Sequence, residues 1–290
     1  MRLMVMVIAI TALVGCGGVP APAAIPTGGG RIVFVSDRAL KNEIHTINAD
    51  GSELTRLTVS DAEVAAPSWS PDGERITFER NLSDQEIYVM SADGSGLTNL
   101  TNDPAQDRDP SWSPDGKHIA FASDRGGNHD VYLMKVDGSG LTRLTDSTAD
   151  ERAPSWSPDG KRVAFESDQG TESEIYVMDA NGKEPTNLTN DSAQDRDPSW
   201  SPDGKQIAFA SNRGGNYDIY LMNVDGSGLT RLTDSSADES APAWSPDGER
   251  IVFETDLGGN HELLLMSSDG SEGNGLTTNP DYDGQPAWWP

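Results

Sequence analysis

The chain of 290 residues has a single cysteine, Cys16, so disulfides take no part in its fold. It is also short of positive charge. Lys and Arg number 21 against 47 Asp and Glu, a formal charge of −26. Such a field repels phosphate backbones and excludes nucleic acid as a partner, while attracting cations and basic proteins. Long hydrophobic runs are missing as well. The longest, residues 3–14, is about a dozen residues and too short to span a hydrocarbon core of ~30 Å. Aromatic content is 7% and apolar content 35%, low for one deep core. The chemistry of a serine hydrolase has no support either, since no Gly-x-Ser-x-Gly elbow occurs.

What the chain does have is a repeat. Trp69, Trp112, Trp156, Trp200, Trp244 and Trp288 follow one another at intervals of 43 or 44 residues. Five open the phrase Trp-Ser-Pro-Asp-Gly, as in Trp112-Ser113-Pro114-Asp115-Gly116, and the sixth lies two residues from the end. A period of this length, filled with short apolar runs, predicts the blade of a β-propeller. Such a fold needs no deep core, because each blade buries its faces against two neighbours.

One repeat shows the four strands expected. Ser111, Trp112 and Ser113 form the first, and Pro114-Asp115-Gly116 turns the chain. Residues 119–121 alternate as a second, 131–134 make a third, and Asp137-Gly138 is a hairpin turn where Gly supplies positive φ. Residues 141–145 make the fourth. Second strands recur near Ile32, Ile76, Ile119, Val163, Ile207 and Ile251, which sets the blade number at six. The first repeat lacks its Trp strand, whereas the chain ends on Pro286-Ala287-Trp288-Trp289-Pro290. The C-terminal segment is therefore expected to supply the innermost strand of the first blade and remove the open sheet edge. Residues 110–145 nearly repeat as 198–233, and 67–101 resembles 154–189, so a threefold pattern should underlie the sixfold one.

Ahead of the repeats, Arg2 and the apolar stretch read as a secretory signal. Leu13-Val14-Gly15-Cys16 is similar to the bacterial lipobox, with residues 1–15 as signal peptide and a diacylated Cys16 as the new N-terminus. The alternative is an ordinary signal peptide cleaved further on, after Ala24. Residues 16–30 then comprise the lipidated cysteine and a Gly-, Pro- and Ala-rich linker, with 31–290 as the propeller. Stretched out, the linker reaches about 45 Å, and as a flexible coil about 20 Å.

The repeat phrases Trp-Ser-Pro-Asp-Gly, Ile-Ala-Phe-Ala-Ser-Asp-Arg-Gly-Gly-Asn (residues 119–128), Ile-Tyr-Val-Met (87–90) and Asp-Gly-Ser-Gly-Leu-Thr-Arg-Leu-Thr (137–145) resemble the TolB-type propeller repeat. The resemblance implies a periplasmic protein that binds protein partners, some through peptides reaching into the channel. TolB proteins also carry an α/β domain ahead of the propeller, where this sequence offers residues 17–30.

In an antiparallel blade, the first-to-second and third-to-fourth turns share one face. The second-to-third loops and the blade-to-blade connections share the other, and there they are longer, more varied and charged. That long-loop face is the expected binding face. The blade-to-blade connections place Asp107, Glu151, Asp195, Glu239 and Asp283 three residues before the proline of the next blade, and the first blade offers Glu63 one step earlier. Near the channel mouth these could form a ring. Two carboxylates about 5 Å apart repel by about 3 kcal/mol at an effective dielectric of about 20, so a tight ring wants a cation, a basic side chain or shared protons. Asp107, Glu151, Asp195 and Glu239 are the candidate ligands for Ca²⁺, since all-oxygen donors suit that ion. The competing reading has the adjacent Arg108, Arg152 and Arg196 neutralise them as surface ion pairs.

A second set of acids stands before each third strand: Glu43, Glu86, Asp130, Glu174, Asp218 and Glu262. Its presence in every blade suits a structural role. The Asp-Gly turns at Asp93, Asp137 and Asp225 lack the spaced carboxylates of an EF-hand and read as hairpins. Of four histidines, His45 and His118 lie on strands. His129 and His261 sit in blades three apart and cannot share a metal, so a zinc, copper or haem site is not expected. The expected protein is a monomeric, lipid-anchored binding module on the periplasmic or extracellular face, taking an envelope protein or basic peptide. Calcium or polysaccharide binding is the alternative, with a carboxylate-dependent glycan lyase or hydrolase behind it.

Overall fold

Six four-stranded antiparallel sheets account for all 24 strands of the computed structural model, which describes residues 30–60 and 62–289. Five sheets run in chain order from the innermost strand outwards, as the repeat requires. The exception is the first blade, whose innermost strand is the C-terminal Asp283–Trp288, paired with Arg31–Ser36. This is the closure the unpaired Trp segment predicted. Each innermost strand packs on the innermost strands of both neighbours, including Asp283–Trp288 against Glu63–Trp69, so the ring has no gap.

Blade three shows why the sequence folds this way. Its innermost strand, Asp107–Trp112, is longer than the three residues expected, and the outermost, Thr142–Arg143, is shorter than the five. Its second strand, His118–Ser123, is buried on both faces: Ile119 and Phe121 point to one neighbour, Ala120 and Ala122 to the other. A sheet sandwiched between two others reads as a continuous apolar run, with large residues on one side and small ones opposite. The consequence is six apolar clusters in place of one core. Ile87 of blade two joins Trp112, Ile119, Phe121, Tyr132 and Met134 of blade three. Likewise Val252, Leu263 and Leu265 of blade six join Ile32, Phe34 and Trp288 of blade one.

The tight turns lock neighbouring blades together. Gly138 has φ +80°, and a Cβ there would lie 2.5 Å from the backbone oxygen of Leu100 in the preceding blade. Glycine is thus required twice over, for the turn and for the approach. Asp137 accepts hydrogen bonds from Ser139 N (3.0 Å) and Oγ (2.6 Å), and Asp93 and Asp225 do the same with Ser95 and Ser227. These acids cap hairpins.

Candidate functional site

The long loops and the connections between blades do share one face, where their backbones join. Glu151 N donates to His129 O (2.8 Å), and Asp168 N to Asp150 O (3.0 Å). On that face the connection acids are not an open ring. Asp107, Asp195 and Asp283 are fully buried, and each is held by two hydrogen bonds from a single arginine of a second-to-third loop. The donors are Arg125 (2.8 and 2.9 Å), Arg213 (2.9 and 2.7 Å) and Arg38 (2.7 and 2.6 Å). Burial still raises the Asp107 carboxyl above the usual carboxylate range, against the pull of Ser123 and Arg125.

Glu151 and Glu239, in the alternate blades, are buried against Ser147 (2.5 Å) and Ser235 (2.6 Å). Burial raises both, Glu239 to about 7. Glu63 is exposed and stands outside the pattern, because Val64 occupies the matching position.

Two expectations are corrected by this geometry. The neutralising arginines are Arg38, Arg125 and Arg213, drawn from the loops, and not the sequence neighbours Arg108, Arg152 and Arg196. Nor do Asp107, Glu151, Asp195 and Glu239 converge as a calcium set. Each is committed within its own blade, and among the described residues no group of three or more His, Cys, Asp or Glu is placed to hold a metal ion.

The second set of acids ties each third strand to the blade's outer edge. Asp130, Asp218 and Glu43 pair with Arg143 (2.7 Å), Arg231 (2.7 Å) and Arg56 (2.8 Å). Glu86, Glu174 and Glu262 accept the backbone N–H of Asp103 (3.1 Å), Asp191 (2.9 Å) and Asn279 (2.7 Å).

The ring that does surround the channel was not expected. Every innermost strand has a bulge just before its proline, centred on Ala66, Asp109, Ala153, Asp197, Ala241 or Gln285, all with φ between +46° and +56°. A bulge leaves its N–H without a ladder partner. Side chains of neighbouring blades accept all six. Glu79, Glu166 and Glu254, on second strands, take the N–H of Asp109 (2.7 Å), Asp197 (2.6 Å) and Gln285 (2.9 Å). Those three residues then take the N–H of Ala153 (3.2 Å), Ala241 (3.1 Å) and Ala66 (2.8 Å). The signal for it is in the sequence: the residue after the second-strand Phe runs Val35, Glu79, Ala122, Glu166, Ala210, Glu254. A glutamate inside every other buried strand needs a reason.

Burial pushes Glu79 and Glu166 up to about 8, the charges of Asp109 and Asp197 adding to it. Asp197 is raised as well, mainly by burial. The third unit differs, because Gln285 carries no charge. Its Glu254 pairs with His261 Nδ1 (2.6 Å) and accepts the hydroxyl of Tyr282 (3.3 Å). Burial and that carboxylate raise the Tyr282 phenol.

Two features of the long-loop face break its symmetry. A polar cleft of about 450 Å³ opens between blades four and five, lined by Arg152, Glu166, Asp168, Thr171, Arg196 and Tyr217. Arg196 lies over the Tyr217 ring at 3.6 Å, and Arg152 is 2.7 Å from Asp150. Across the ring, Leu40 (97%), Val59 (86%) and Leu82 (55%) stand exposed on the loops of blades one and two.

A closed ring of four-stranded blades whose variable loops share one face defines a six-bladed β-propeller. The chain belongs to the TolB beta propeller domain family, whose model matches residues 62–152 and 146–290. It is similar to TolB from Acinetobacter baumannii, at 29% identity over 91% of this chain and 69% of that one, with a TM-score of 0.81. It is also similar to a putative TolB from Agrobacterium tumefaciens, at 26% identity over 89% and 92%, with a TM-score of 0.74. A chain of the nidogen/laminin complex shares the fold alone, at 11% identity and TM-score 0.76 over 90% and 98%. None of the curated proteins compared matches the sequence.

Proposed function

We propose that this propeller is a cell-envelope binding module that recognises a protein partner through its long-loop face and channel mouth. The observation that carries the reading is the exposure of Leu40, Val59 and Leu82 on one arc of that face. Exposed large apolar side chains held on a rigid scaffold suit a protein partner better than a glycan. The cleft with Arg152, Asp168, Arg196 and Tyr217 supplies the polar half of such an interface. Family membership and the resemblance to TolB proteins support an envelope setting.

Anchoring belongs to the same proposal. Cys16, its lipid and the linker lie outside the described residues. Gly30, just ahead of the strand Arg31–Ser36, accepts the N–H of Ala49 through its carbonyl on the tight-turn face. A lipid on Cys16 would then hold the tight-turn face toward the membrane and leave the long loops pointing away.

A photo-crosslinker placed at Thr171, on the cleft, or at Ser139, on the opposite face, tests the reading in native envelopes. A specific adduct from Thr171 is expected, whatever Ser139 captures. Adducts from Ser139 alone would overturn it.

A further inference from the structure

We propose that the groove between blades three and four on the tight-turn face seats an arginine side chain of a protein partner. The fold itself supplies the precedent. Arg75, the residue that opens the second strand of blade two, lies over the Trp112 ring of the next blade at 4.7 Å. Arg162 lies over Trp200 at 4.7 Å, and Arg250 over Trp288 at 5.3 Å. Three of the six blade junctions thus cover the repeat tryptophan with a guanidinium, a favourable placement over an indole face.

At the junction of blades three and four the corresponding residue is His118. Its ring is shorter than an arginine side chain and does not cover the tryptophan. Trp112, Trp200 and Trp288 are 6%, 6% and 7% exposed, whereas Trp156 is only partly buried. A groove of about 530 Å³ opens beside it, with Trp156, Pro114, Pro158, Leu133 and His118 in its walls. At blade five the matching residue is Gln206, and Trp244 stays buried at 9%.

The rim selects the charge of the occupant. Asp115 and Asp159, both about half exposed, line the groove. Their present partners, Lys117 (3.4 Å) and Lys161 (3.5 Å), are about three-quarters exposed and free to swing into solvent. An aromatic wall with carboxylates at its edge, on a chain of charge −26, fits a planar cation. Guanidinium fits better than ammonium, because it stacks on an indole and bonds a carboxylate in the same plane. The indole N–H of Trp156 is already donated to Ser111 O (3.3 Å), which holds the ring in place.

The test is a titration of the full chain, with ¹⁵N-labelled tryptophan, using the peptide acetyl-Gly-Arg-Gly-amide. The neutral citrulline peptide of the same shape and free guanidinium ion are the controls. One indole signal should move, the one lost in Trp156→Phe, with the arginine peptide binding at least tenfold tighter than either control. His118→Arg should weaken that binding at least tenfold, since the protein's own guanidinium then fills the groove. Equal response to the citrulline peptide, binding of guanidinium ion as tight as the peptide, or undiminished binding by His118→Arg would each overturn the proposal. If Trp156→Phe does not fold, the His118→Arg titration decides the matter.

Discussion

The Glu79 carboxylate accepts the backbone N–H of Asp109 at 2.7 Å, across the junction between blades two and three. This one contact joins two properties of the ring. It satisfies a bulge that the propeller geometry leaves without a ladder bond. It also forces two acids together at the channel, where burial raises Glu79 to about 8. Stability and the electrostatics of the channel are therefore set by the same groups.

The first expectation concerns pH. Glu166 is pushed up to about 8 in the folded chain and would titrate near its ordinary value when unfolded. The folded state then binds more protons than the unfolded state between those two values. The stabilisation from its proton is complete below the unfolded pKa and is lost as pH rises toward the folded one. The slope from one such group is at most about 1.4 kcal/mol per pH unit. Glu166→Gln keeps the acceptor for Asp197 N without the charge, as Gln285 already does in its own position for Ala66 N. The drop in Tm between about pH 5 and about pH 8 should shrink by a few degrees in this variant, read by calorimetry.

Removing an arginine from a clamped aspartate should be costly. Arg125→Ala leaves Asp107 fully buried without its ion-pair partner. The expected loss is about 3–5 kcal/mol in urea unfolding. The double variant Asp107→Ser with Arg125→Ala should lose clearly less, because no buried charge remains.

Closure of the ring rests on the C-terminal strand. Trp288 is buried among Ile32, Phe34, Val252 and Leu263, so Trp288→Ala should cost about 3–5 kcal/mol. Hydrogen exchange would localise the effect. Protection should fall first in Arg31–Ser36, the strand paired with Asp283–Trp288. A uniform loss across all blades would mean that closure is not the weak point.

Calcium added to the metal-stripped full chain should give no saturable micromolar heat from the connection acids. Asp107 and Asp195 are held by Arg125 and Arg213, and Glu151 and Glu239 lie in other blades. A saturable signal that disappears in Asp107→Asn with Asp195→Asn would revive the ring as a cation site.

Much of the fold was legible in the order of residues. The interval between Trp112 and Trp156 marks the blade, and the isolated Trp288 at the end of the chain foretells the closure, because an unpaired strand needs a sheet. The duplication of 110–145 as 198–233 foretells the threefold chemistry, seen in Arg75 over Trp112 and Arg162 over Trp200. Local signals suffice where a property depends on neighbours in the chain: a turn, a strand period, a blade's length.

Which charge meets which is another matter. Asp107 is next to Arg108 in sequence but bonds Arg125, since successive residues of a strand point to opposite faces. Asp283 bonds Arg38, 245 positions away, only because the ring closes. The glutamates of the channel ring, Glu79 and Glu166, lie inside apolar strands and meet Asp109 and Asp197 only across a blade junction. The chain by itself thus determined the blades and their number. The tertiary structure alone decided which carboxylates are clamped, which share the channel and which tryptophan is left uncovered. Those outcomes depend on side chains from separate blades, and only packing brings them within a few ångströms.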